Sequence, residues 1–171
     1  DTFLSTSADG KTTVFLRSCF DFPAQLWTFK NNKTFHSLDD FNDDLWRSWD
    51  LGDIDNVKYN GADDEDVQMW IVYPPKFDKS KKWPCLMMIH GGPHNAITID
   101  FHYRWNAHLF PSRGYVVAIP NFHGSSGLGQ KFTDSITGDM ATKPFIDIMK
   151  ATDLMEAKPF IDKTRTTAAG A

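Results

Sequence analysis

Glutamate is almost missing from this sequence: of 22 acidic residues only Glu65 and Glu156 are glutamates. Cysteine is scarce too, with Cys19 and Cys85 far apart. Two thiols in 171 residues build neither a disulfide framework nor a zinc ribbon. They leave the redox compartment open, with a secreted or extracytoplasmic setting expected over a cytoplasmic one. No apolar run approaches the roughly 18 residues that a membrane-spanning helix requires. A Walker loop and a Gly-x-Gly-x-x-Gly run are both absent, which removes the usual phosphate cradles. The formal net charge of −4 argues against a general binder of nucleic acid or anionic membrane. Asp1-Thr2-Phe3 is neither an initiator methionine nor a signal peptide, so an interior cut or a processed end is expected there.

What is present suits a packed fold. Hydrophobic residues make up 41% and charged residues 23%, enough for a core in one medium domain, or in one domain plus part of another. Residues 1 to about 50 read as short strands separated by turns. Thr12–Leu16, Gln25–Phe29 and Thr34–Leu38 are β-rich, with breaks at Ala8–Lys11, at Asp21-Phe22-Pro23 and at Asn31-Asn32-Lys33. Such a meander suits one propeller blade, and nothing later in the chain repeats it. Asn32-Lys33-Thr34 is a glycosylation sequon, meaningful only in a secretory setting.

From Gly52 the order of elements carries more information. Strands are expected at Ile54–Tyr59, Val67–Tyr73, Cys85–Ile89, Tyr115–Ile119 and Thr166–Ala169. The first two should pair antiparallel across the acidic turn Ala62–Asp66. Helices are expected over Asp100–Ser112, capped by Gly114, and over roughly 144–157, where Phe145, Ile148, Met149, Thr152 and Met155 recur at helical spacing. A possible short helix lies within 121–140. Leu86, Met88, Ile89, Val116, Val117 and Ile119 should be buried in adjacent parallel strands.

Strand, strand, strand, helix, strand, helix, strand is the opening order of the α/β-hydrolase fold. The third strand runs straight into His90-Gly91-Gly92-Pro93, the position at which that fold supplies an oxyanion-hole N–H. Glycines there leave amides exposed where a tetrahedral oxyanion forms, and one such donor is worth about 10²–10³ in rate. Gly91 and Gly92 are therefore the candidate catalytic residues, acting through their backbones. The elbow sequence Gly-x-Ser-x-Gly is not complete in the chain, which reaches Gly170-Ala171 after its fifth strand.

Several stretches carry a more specific resemblance. They are Val67–Pro75, His90–His94, Tyr103–Asn106, Gly114–Val117, Asn121–Phe132 and the tail from Phe160 to Ala171. In this order they resemble the prolyl oligopeptidase family of serine peptidases, most closely its acylaminoacyl-peptidase and dipeptidyl-peptidase V-like branch. The resemblance implies an α/β architecture: the first half of an α/β-hydrolase domain at 52–171, preceded at 1–51 by the end of the last blade of a β-propeller. It implies hydrolysis of short peptides through an acyl-enzyme. Gly92, the second glycine of His-Gly-Gly-Pro, would lend its N–H to the oxyanion hole. The nucleophilic serine and the triad Asp and His would lie outside these residues, and the chain by itself would be inactive. Expected partners are a short peptide substrate and the remainder of the chain's own catalytic domain and propeller. No cofactor, metal, nucleic acid or membrane is expected.

Two departures stand out. Asp64-Glu65 occupies the turn where the family usually has glycine, and Met140-Ala141-Thr142 follows Gly138-Asp139 where Trp-Gly is usual. Other constellations are weaker. His90 and His94 have the spacing of a helical metal pair, but the glycines and proline between them forbid the helix. Ser125 and Ser126 follow the fourth strand, where this fold has no nucleophile elbow. His102 and His108 read as surface or internally satisfied histidines. Two other readings stay open on the residues alone: an esterase or thioesterase of the same fold, and a non-catalytic binding protein.

Overall fold

The computed structural model describes residues 2–30 and 34–170. The turn expected at Asn31-Asn32-Lys33, the sequon residue Asn32 and the terminal Ala171 lie outside the described residues. The chain divides into two compact units, one of Asp1–Asp50 with Ile99–Ala107, the other of Leu51–Thr98 with His108–Ala171.

The first unit holds an antiparallel sheet of four strands in sequential order: β1 (Thr2–Thr6), β2 (Thr12–Cys19), β3 (Phe22–Lys30) and β4 (Thr34–Ser37). One strand more than expected is present, β1, which is exposed along its length, Phe3 and Leu4 included. The break expected at Phe22-Pro23 is instead the start of β3. Cys19 already faces Phe22 across a two-residue turn, so the proline sits at a strand's first turn, where it is tolerated. A one-turn helix, α1 (Asp43–Trp46), follows. The Asp43 carboxylate takes hydrogen bonds from buried Gln25 and from Trp46 Nε1 (3.1 Å) and pairs with Arg47 at 2.7 Å.

The helix expected over Asp100–Ser112 does not form. His102 Nδ1 accepts the backbone N–H groups of Arg104 (3.1 Å) and Trp105 (3.0 Å), a local arrangement that competes with the helical ladder. Phe101 stacks on Trp49 and meets Tyr103 edge-on, while Leu109 is exposed. What periodicity suggested as a helical stripe is a run of aromatic side chains taking separate partners. Only a single 3-10 turn remains, Pro111–Arg113, closed by Gly114 at φ +87°.

The second unit is a mixed sheet flanked by helix. Its strands are β5 (Ile54–Asn60), β6 (Asp66–Val72), β7 (Trp83–Ile89), β8 (Val116–Asn121) and β9 (Ile161–Gly170), in the spatial order β5-β6-β8-β7-β9. β5, β6 and β8 pair antiparallel in turn, whereas β7 runs parallel to both β8 and β9. Strand β9 is ten residues long, well beyond the expected Thr166–Ala169. Its polar first half, Asp162 to Arg165, hid it from an apolar-run reading. Asp63 and Asp64 both take positive φ in the turn before β6, the conformation that the expected glycine would have supplied.

The α2 helix (Gln130–Asp134) is short, and α3 (Thr142–Glu156) covers one sheet face. At its start the Asp139 carboxylate accepts the N–H groups of Ala141 and Thr142 at 3.1 and 3.0 Å, in the segment where the family's Trp-Gly is replaced. Of the expected stripe on α3 only Met155 is fully buried. Pro144, Asp147 and Ala151 face inward with it, while Phe145 and Met149 are exposed. The helix is rotated toward a carboxylate because that carboxylate is fully satisfied there, as described below.

Strands β7 and β8 are buried on both faces, which is why they read as unbroken apolar runs. Cys85, Met87, Val116 and Ala118 join Val67, Met69 and Ile71 against Ala151 and Met155 of α3. Leu86, Met88, Val117 and Ile119 are buried on the opposite side. Ile89 was expected among them but is only half-buried, since it closes the strand at the rim. The cavity test therefore belongs to a central residue. Replacing Ile71, which has no exposed surface, by alanine is expected to cost about 2–5 kcal/mol in urea unfolding.

Candidate active site

Three parallel strands bring their carboxyl ends to one rim of the sheet. In an open α/β sheet that rim is where ligands bind. Ile89 of β7 lies opposite Gly170 of β9, and a Cβ added to Gly170 would fall 2.1 Å from the Ile89 carbonyl oxygen. Only glycine fits where β9 reaches the rim. His90-Gly91-Gly92-Pro93 leaves the same rim from β7.

Gly92 takes φ +140°, and the peptide that joins it to Pro93 is cis. A Cβ on Gly92 would lie 3.0 Å from the Cβ of Asn95 and 3.1 Å from the backbone nitrogens of His94 and Asn95. Gly91 and Gly92 are both exposed, and neither amide N–H meets an acceptor among the described residues. Two such donors, on adjacent exposed glycines, suit anion recognition by backbone.

The loop is held from below by the turn that follows β8. Asn121 accepts the Ile97 N–H (2.8 Å) and donates to the Ile97 carbonyl (3.0 Å), which also takes the Trp70 indole N–H (2.8 Å). His94 Nδ1 lies 3.0 Å from the Gly124 carbonyl oxygen, and Ser126 N–H donates to the Asn95 carbonyl at 3.1 Å. The His90 ring stacks on Phe122 at 4.4 Å, and its Nε2 is 3.0 Å from Ser125 Oγ. Burial holds the His90 imidazole below its ordinary value, and its contact with the Gly91 carbonyl (3.1 Å) offsets that only in part. The neutral ring thus donates from Nδ1 to Gly91 and accepts the Ser125 hydroxyl at Nε2.

A histidine bonded to a serine looks like a catalytic pair, but Ser125 has no exposed surface. No substrate carbonyl can reach it, so its hydroxyl serves the loop. His90 and His94, read in sequence as a spaced pair, turn to different partners in this network. The Cys85 thiol offers no alternative nucleophile. Burial, with Glu156 adding to it, pushes the thiol up to about 12, and it stays protonated.

Sequence reasoning missed one cluster entirely. The carboxylate of Asp147, wholly buried on α3, accepts three N–H groups: Ala62 N at Oδ1 (2.7 Å), and at Oδ2 both His123 N and His123 Nδ1 (2.7 Å each). His123 is equally buried and stacks on Phe132 at 4.3 Å, and its Nε2 is 3.5 Å from Glu65 Oε2. The available signal was a lone aspartate in register with Ala151 and Met155, at i, i+4 and i+8 of a helix. Read as a surface charge, it goes unnoticed.

The chain is similar to known proteins in sequence and in fold. Residues 101–171 match the prolyl oligopeptidase family. A probable dipeptidyl-peptidase 5 of Aspergillus terreus is 42% identical over 70% of the chain, and the dipeptidyl-peptidase 5 of Porphyromonas gingivalis is 39% identical over 64%. The chain spans only 16% of the length of each of these relatives. Among solved structures, the acylaminoacyl peptidase of Pyrococcus horikoshii superposes with a TM-score of 0.84, at 20% identity, over 99% of this chain and 26% of its own. That likeness extends the shared fold to nearly every residue. The family match is carried by residues 101–171.

Proposed function

We propose that these residues are part of a serine peptidase that hydrolyses short peptides, releasing aminoacyl or dipeptidyl units through an acyl-enzyme. In this reading residues 1–51 are the end of the last blade of a β-propeller. Residues 52–171 are the N-terminal half of an α/β-hydrolase domain, which needs the remainder of that domain to act. Gly92, with Gly91 beside it, donates its N–H to the oxyanion, and the nucleophilic serine stands on the elbow that follows β9.

The observation that carries the reading is the pair of exposed, unbonded amides at the end of β7, one strand away from the obligate Gly170. A substrate carbonyl seated between them would have its developing negative charge met by donors that need no reorganisation. The relatives' names, dipeptidyl-peptidase and acylaminoacyl peptidase, support peptides as the substrate class. The test is a serine-directed covalent probe on the full-length protein, with turnover of dipeptidyl and acylaminoacyl chromogenic substrates measured in parallel. Stoichiometric labelling of a serine in the segment after Gly170, with loss of turnover, is expected. Labelling of Ser125 or Ser126, or turnover that survives complete labelling, would overturn the assignment.

A further inference from the structure

We infer that His123 is a positioning residue, and that with Asp147 it forms a buried latch that sets the placement of the Gly91-Gly92 amides. The inference rests on the peptidase reading above for its kinetic consequence, though not for its geometry.

The latch is anchored on Asp147 of α3. Asp147 Oδ2 receives both the backbone N–H and the Nδ1–H of His123, so one carboxylate oxygen fixes the residue's main chain and its ring together. A ring held this way has no rotamer freedom left, and Phe132 closes its face. Around the ring, α3 contributes Asp147, with Lys143 paired to Asp63. The loop before β6 contributes Glu65, and α2 contributes Lys131, which pairs with Glu65 at 2.6 Å. No substrate group can reach His123 or Asp147, because neither has exposed surface.

The other side of the latch is free to act on the loop. Residues 122–126, which flank His123, make four contacts with residues 90–95. Phe122 carries the His90 ring, Gly124 accepts His94, Ser125 meets His90, and Ser126 donates to Asn95. Releasing His123 from Asp147 therefore loosens the four supports of the oxyanion loop at once. Misplacing a catalytic group by about 1 Å from a distance can cost on the order of 10²-fold in rate.

Isosteric substitution separates this role from mere packing. The side-chain amide of His123→Asn can place its N–H where Nδ1 sits, whereas that of His123→Gln reaches past it, and His123→Leu has no donor at all. In the full-length protein, His123→Leu is expected to lower kcat by at least about tenfold with KM little changed. His123→Gln should resemble it, and His123→Asn should restore most of kcat. Amide hydrogen exchange over residues 90–97 should quicken in the Leu and Gln variants, while the amides of β6 keep their protection. If His123→Leu does not fold, the Asn and Gln variants alone decide. A folded Leu or Gln variant with wild-type kcat and unchanged exchange in the loop would overturn the inference. Should the wild-type protein turn over no peptide, the peptidase reading fails on its own, and the exchange experiment still decides whether the latch holds the loop.

Discussion

Replacing Asp147 by alanine is expected to be among the most destabilising single changes in the second unit, costing about 3–5 kcal/mol. The carboxylate is wholly buried and accepts three N–H groups, from Ala62, from the His123 main chain and from the His123 ring. Truncation strands all three donors in a dry interior, and each unsatisfied group costs about 1–3 kcal/mol. It also opens a cavity beside Gly61, whose absent Cβ would stand 2.5 Å from Asp147 Oδ1, so the neighbouring backbone is already packed as closely as glycine permits. Against a domain stability of roughly 5–15 kcal/mol, such a loss moves the unfolding midpoint by many degrees.

The conservative change sharpens the argument. The side chain of Asp147→Asn keeps one acceptor oxygen, which serves either His123 or Ala62, while its NH₂ group faces the remaining N–H donor. Asp147→Asn should therefore lose less than Asp147→Ala, but clearly more than a surface substitution. Urea unfolding followed by tryptophan fluorescence measures both. An alanine variant within about 0.5 kcal/mol of wild type, the range of an ordinary surface change, would mean that the carboxylate holds nothing together.

The contrast between β7 and α3 explains what the sequence made legible. β7 and β8 announce themselves because burial on both faces leaves no polar residue to interrupt the run, and His-Gly-Gly-Pro stands at the end of the first. A glycine pair of that kind is a local signal, since positive φ and close approach are properties of the residues themselves. Asp147 is the opposite case. Its meaning depends on Ala62, 85 residues earlier, and on His123, 24 residues earlier. Periodicity scores apolar residues, so it chose the stripe of Phe145 and Met149 and rotated the helix away from its true inner face. The absent helix over 100–112 fails for a related reason. The aromatic side chains there follow helical spacing, but His102 captures the two N–H groups that a helix would need. Strand β9 is legible only at its far end, because Asp162 to Arg165 fall in the register shift between the β7 pairings at Ile161 and Thr166 and are held by the Asp162 carboxylate, which accepts from Thr164 and Arg165, and not by burial.

In the full-length protein, Gly92→Ala is expected to reduce kcat by about 10²-fold while leaving KM nearly unchanged, since an oxyanion donor acts chiefly in the transition state. Proline looks from the sequence like the cleaner probe, because it deletes the N–H outright. The structure argues against it: Gly92 sits at φ +140°, which proline's ring cannot adopt, so that variant would remodel the whole loop. Alanine keeps the N–H and moves it. Its Cβ would press on Asn95 at 3.0 Å and on the His94 and Asn95 nitrogens at 3.1 Å, and a backbone at this φ is strained for any residue with a Cβ, by about 1–3 kcal/mol. The loop must yield, and the amide turns away from the oxyanion. Because the loop is exposed, most of that strain is relieved locally, and the unfolding midpoint should fall far less than in Asp147→Ala. Gly138→Ala supplies the control for strain alone. Gly138 also has positive φ, at +84°, but nothing lies within 4 Å of its added Cβ. That variant should show a comparable small loss of stability with wild-type kcat. If Gly92→Ala and Gly138→Ala lose turnover equally, strain is the common cause, and if Gly92→Ala keeps wild-type turnover, its amide is not an oxyanion donor.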